Sequence, residues 1–138
     1  MVSVTSRYLL TLVLLLQSHV LTASDYLSPG MPVNELARLL GMPQAPLIVD
    51  VREPAEYAIA HIPGAINIPN TKLSERLGEV SGKNGVLIYC FNGSRTREAE
   101  HTLFEHNIND FYHLEGTFEK WLQGNYPVEK GGAKKSGW

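Results

Sequence analysis

One residue dominates the chemistry of this chain: Cys90, the single cysteine among 138 residues. It follows the apolar run Val86-Leu87-Ile88-Tyr89 and precedes Phe91-Asn92-Gly93-Ser94-Arg95-Thr96. That order predicts a buried strand, a short loop and then a helix from about Ser94 to His106. The sulfur then lies at the carboxyl end of a strand, facing N–H groups of a loop and a first helical turn, which favour an anion. A free thiol is only about 3% ionised at pH 7. A helix terminus contributes up to about 2 kcal/mol toward the thiolate in a partly buried setting, and loop N–H groups add to it. Gly93 permits a positive φ within the loop, and Arg95 brings a fixed positive charge near the opening. No general base is required. A lone cysteine also admits two other readings, an intermolecular disulfide partner and an inert buried side chain.

The elements that must position Cys90 follow from periodicity and punctuation. Asn34 to Leu40 reads as an amphipathic helix ended by Gly41. Leu47 to Val51 reads as a strand buried on both faces, and Glu53 to Tyr57 opens a short helix with Pro at an early position. Ala65 to Ile68 alternates like a strand after the Pro63-Gly64 turn. Thr71 to Val80 reads as a helix, Asp110 to Leu114 as a strand and Gly116 to Gln123 as a last helix carrying Phe118 and Trp121. Alternating strands and helices predict an α/β fold, a parallel sheet with helices on both faces, whose ligands bind beyond the carboxyl ends of the strands.

Composition limits the alternatives. A net charge of -2 and 43% hydrophobic residues exclude a disordered chain and a strongly basic nucleic-acid binder. Residues 1–24 pass from positive to apolar to small, the order of a signal peptide. The apolar stretch is shorter than the ~20 residues of a spanning helix, so no lasting membrane anchor is expected. The expected division is a signal peptide at 1–24, one domain at 25–130 and a disordered Gly/Lys/Ser tail at 131–138, which includes Lys134 and Lys135. The periplasm is the expected location, with secretion or a signal anchor as alternatives.

The chain resembles the single-domain rhodaneses, the thiosulfate sulfurtransferase family, in its exported form. The resemblance rests on Asp50-Val51-Arg52, the run His61 to Pro69, the strand-Cys90 loop, Leu114-Glu115-Gly116, Trp121 and Pro127-Val128. It spans about Pro32 to Val128 and implies a three-layer fold around a five-stranded parallel sheet. It implies further that Cys90 accepts a sulfane sulfur from a small anionic donor such as thiosulfate and passes it, as a persulfide, to cyanide or a thiol. The loop Phe91 to Arg95 would cradle that persulfide. The related phosphatases and arsenate reductases carry a loop one residue longer, with room for a tetrahedral oxyanion. Cys90 and Arg95 enclose only four residues, which favours sulfur. Phe91 stands where many relatives carry a polar or basic residue, and Thr117 where a second Gly is usual.

The expected site is therefore Cys90 as nucleophile, with Phe91, Asn92, Gly93, Ser94, Arg95 and Arg52 around the substrate. Asp50 and Arg52 flank Val51 and face the same way, which suits either a brace for the active loop or an internal ion pair; Arg52 alternatively draws in an anionic donor. His61 is expected to be a hydrogen-bonding turn residue. His101, His106 and His113 lack metal-ligand spacing, so no metal and no cofactor is expected. The protein is expected to act as a monomer without nucleic acid. A carrier that holds a persulfide for a protein partner is the alternative function.

Overall fold

The computed structural model describes residues 28–132. The expected signal peptide lies outside them, as does the tail from residue 133 onward. In chain order the elements are β1 (Gly30–Pro32), α1 (Val33–Leu39), β2 (Leu47–Asp50), α2 (Pro54–Ile59), β3 (Ile66–Asn67), two 3-10 segments (Asn70–Glu75 and Leu77–Glu79), β4 (Val86–Tyr89), α3 (Ser94–Glu105), β5 (Phe111–Glu115) and α4 (Thr117–Gln123). The sheet has five strands in the order β1-β5-β4-β2-β3, and every pairing is parallel.

The middle of the sheet is its most apolar part, because β4 must be buried on both faces. Leu87 and Tyr89 point into a core with Leu36, Tyr57, Phe118 and Trp121. Val86, Ile88 and Cys90 point into the opposite core, with Val49, Ile68, Ala99 and Leu103. Alternate side chains of one strand thus feed two cores. Among the described residues no helix is long and apolar enough to cross a membrane.

Two expectations change. Residues 71–80 do not form one α-helix. Their amides reach carbonyls three residues back, as in Arg76 N–H to Leu73 (3.0 Å) and Val80 N–H to Leu77 (3.0 Å), which is 3-10 geometry. The helix-like spacing of Leu73 and Leu77 spans the break between the two segments. The second change is β1, which has no periodicity to betray it. It is three residues with Pro at its end, tolerable on an edge strand.

His61 is more than a turn residue. It is buried, its Nδ1 lies 2.8 Å from the Tyr57 carbonyl and its ring stacks on Tyr57 at 3.6 Å. Its backbone exchanges two 2.9 Å hydrogen bonds with Glu129, so the chain returns alongside the end of α2. His113 packs into a polar cluster. Buried Glu100 accepts from the Ser28 hydroxyl and N–H, and His113 Nδ1 lies 3.4 Å from Glu100 Oε1. The Glu100 bond holds the imidazole above its ordinary value of 6.5 against burial. Burial pushes Glu100 up, but His113 and Ser28 bring it below its ordinary 4.5.

The signs set a pH window. The imidazolium contributes fully below pH 6.5 and fades as pH rises through its raised folded value. The carboxylate contributes fully above pH 4.5 and fades as pH falls through its lowered folded value. Melting temperature is expected to fall as pH rises through the raised His113 value, and His113→Gln to flatten that limb; an identical limb in the variant would show that the pair is not its source.

Candidate active site

The described structure builds the site at the carboxyl end of β4. Cys90 has no exposed surface, and the Gly93 N–H donates to its Sγ at 3.0 Å. Gly93 has φ 93° and leads directly into α3. A Cβ there would meet the Thr117 methyl at an ordinary 3.5 Å. The backbone angle, not space, therefore demands glycine. Asn92 Oδ1 accepts from the Ser94 N–H (3.3 Å) and hydroxyl (3.0 Å), tying the exposed crest of the loop to itself.

The underside of the loop is held by α4. The Phe118 N–H donates to the Cys90 carbonyl at 3.1 Å, and the Glu119 N–H to the Phe91 carbonyl at 3.3 Å. The Thr117 hydroxyl donates to that same Phe91 carbonyl at 2.5 Å. Thr117 has φ 66°, which costs a β-branched residue about 1–3 kcal/mol.

The two arginines sit differently from one another. The Arg95 guanidinium is turned to Glu56 of α2 in a two-point pair, with Nη2 to Oε1 at 2.9 Å. Its charge is thus already engaged, although it remains within electrostatic range of Cys90. Arg95 first, and then the Glu53 N–H, hold the Glu56 carboxyl below its usual value against burial. Arg52 is buried against Asp50, with Nη2 to Oδ2 at 2.6 Å and Nε to both carboxylate oxygens at 3.0 Å. Nη2 also donates to the Ala60 carbonyl at 2.7 Å, and the guanidinium lies 4.2 Å from the centre of the Phe118 ring. The Asp50–Arg52 pair is therefore internal. Its guanidinium packs against Phe118 of α4.

Beside the loop runs a groove of about 230 Å3 lined by Arg52, Glu56, Ile59, Ala60, Phe91, Phe118 and Leu122. Phe91, Ile59 and Leu122 expose large apolar surface there. The structure thus gathers Phe91, Asn92, Gly93 and Ser94 around Cys90, turns Arg95 aside and sets Arg52 beneath. Glu56 and Thr117 were not singled out as site residues by sequence reasoning. A carboxylate at the third position of a Pro-led helix and a threonine after a strand-ending glycine were the available signals. Among the described residues no cluster of three or more His, Cys, Asp or Glu is placed to hold a metal.

A buried thiol thus sits in a strand–loop–helix at the carboxyl edge of a parallel sheet. The chain belongs to the rhodanese-like domain family, whose model matches residues 32–124. It is 40% identical over 74 residues to the uncharacterized protein YqhL of Bacillus subtilis, which covers 54% of this chain; the chain spans 59% of that relative. It is 30% identical over 86 residues, 62% of this chain and 78% of the relative, to thiosulfate sulfurtransferase GlpE of Pseudomonas fluorescens. The fold matches the crystal structure of a rhodanese-related protein from Thermoplasma volcanium with a TM-score of 0.63 and 25% identity, over 73% of this chain and 97% of that one.

Arg52→Ala would leave the buried Asp50 carboxylate without its counter-charge, with the residue-52 N–H still donating to it, at a cost of about 3–5 kcal/mol. Its melting temperature is expected to drop by more than 10 °C or so. A normal melting temperature with a raised KM would instead assign Arg52 to substrate.

Proposed function

We propose that the protein is a sulfurtransferase that carries a sulfane sulfur on Cys90. The observation that carries this reading is the Gly93 N–H on Sγ at 3.0 Å, in a loop of four residues closed down on one sulfur. The Cys90 thiolate attacks the outer sulfur of thiosulfate; the S–S bond to the sulfonate breaks, and sulfite leaves with the electron pair. The persulfide then gives its outer sulfur to cyanide, releasing thiocyanate, or to a thiolate, releasing a new persulfide, and Cys90 returns as thiolate. Loop N–H groups would hold the negative outer sulfur. Only four residues separate Cys90 from Arg95, a loop one residue shorter than that of the related phosphatases, which supports sulfur over phosphoryl chemistry.

A second reading concerns the acceptor. The groove beside Phe91 is apolar, and its charged groups are already paired: Arg52 with Asp50, and Glu56 with Arg95. That favours a thiol with an apolar substituent, or a partner protein that presents one, over a strongly charged acceptor, and it keeps the carrier role in view. Export to the periplasm is part of the proposal and rests on the charge and apolar order of residues 1–24; N-terminal sequencing of the protein from fractionated cells tests it.

The deciding experiment is intact-protein mass spectrometry. Thiosulfate is expected to add about 32 Da, cyanide to remove it, and Cys90→Ser to take up none. Sulfur uptake by Cys90→Ser would overturn the mechanism. Glu56→Gln, which weakens the clamp on Arg95, is expected to alter KM for thiosulfate more than kcat; an unchanged KM would remove Arg95 from donor binding.

A further inference from the structure

We infer that Thr117 is a positioning residue for sulfur transfer, acting through the peptide that joins Phe91 to Asn92. The inference rests on the persulfide reading of Cys90. In a planar trans peptide the carbonyl and the N–H point in opposite directions. The Phe91 carbonyl is fixed toward α4 by the Thr117 hydroxyl at 2.5 Å and by the Glu119 N–H at 3.3 Å. The Asn92 N–H of the same peptide must therefore point away from α4. The Cys90 carbonyl is held the same way by the Phe118 N–H at 3.1 Å, which turns the Phe91 N–H. Next in the chain comes the Gly93 N–H, already 3.0 Å from Sγ. Two successive amides, those of Phe91 and Asn92, are thereby oriented from one side, and they lead into the Gly93 N–H that meets the sulfur; Thr117 supplies one of the two bonds on the Phe91 carbonyl.

The backbone of Thr117 points to the same role. Its φ of 66° is one that a β-branched side chain rarely adopts, and a glycine would adopt it without strain. Strain of this kind persists where surrounding structure enforces it, and it gathers at working sites. Thr117 also places its methyl beside Gly93, the residue whose amide meets the sulfur. The hydroxyl of this side chain thus bonds one end of the loop while its methyl lies near the other.

Three variants of the full chain separate this role from a purely structural one. Thr117→Gly removes both the strain and the hydroxyl. Thr117→Val keeps the shape and removes the hydroxyl. Thr117→Ser keeps the hydroxyl. Thiosulfate:cyanide kcat is expected to fall about tenfold in the Gly and Val variants. The Gly variant is expected to melt no lower than the parent, and the Ser variant to recover most of the rate. Parental kcat in the Gly or Val variant, or a Ser variant as slow as Gly, would overturn the inference. Hydrogen exchange at the Asn92 and Gly93 amides gives a readout independent of turnover. Faster exchange in Gly and Val, but not in Ser, supports the role; equal exchange in all four proteins overturns it. If the parent takes up no sulfur, the persulfide reading fails, and the exchange data alone decide whether Thr117 orients the loop.

Discussion

The loop around Cys90 depends on backbone carbonyls being taken by another helix. A four-residue turn between a strand and a helix has few ways to fix its own peptides, and the Asn92 side chain accepts from the Ser94 hydroxyl and N–H within the loop itself. Helix α4 supplies what the loop lacks, through the Phe118 and Glu119 amides. Those amides are free to donate because the first turn of any helix leaves its N–H groups unpaired. The end of one helix is thus completed by the loop that it holds.

Helix α4 is itself only seven residues long and would not persist alone. It is pinned by burial of Phe118 and Trp121, by the Trp121 Nε1 bond to the Pro127 carbonyl at 2.8 Å and by Arg52 beneath Phe118. Arg52 is tolerable in the interior because Asp50 and the Ala60 carbonyl satisfy it, while Asn67 Nδ2 donates to the Asp50 and Arg52 carbonyls at 3.0 and 2.8 Å. A buried charge network of this kind fixes one arrangement, since any other leaves an unpaired ion.

Much of this was legible in the sequence. The run Val86 to Thr96 declares itself because an apolar strand, a glycine and a helix follow each other without interruption. Asp50 and Arg52 share a face by simple alternation, so their pairing was open to inference. Other features were not. Strand β1 is short and carries no pattern; its identity comes from its neighbour β5. The partner of Arg95 lies 39 positions away in the chain, and charge alone does not say which carboxylate will arrive. Residues 70–79 have helical spacing, yet their hydrogen bonds close one residue sooner.

Full burial of Cys90 has a consequence for a protein with a single thiol. A disulfide between two copies requires both sulfurs to come within about 2 Å of each other. Neither sulfur offers any surface for that approach. The lone cysteine is therefore sheltered from pairing between copies of the chain. Its rate of reaction with a neutral alkylating agent becomes a gauge of how often the loop opens.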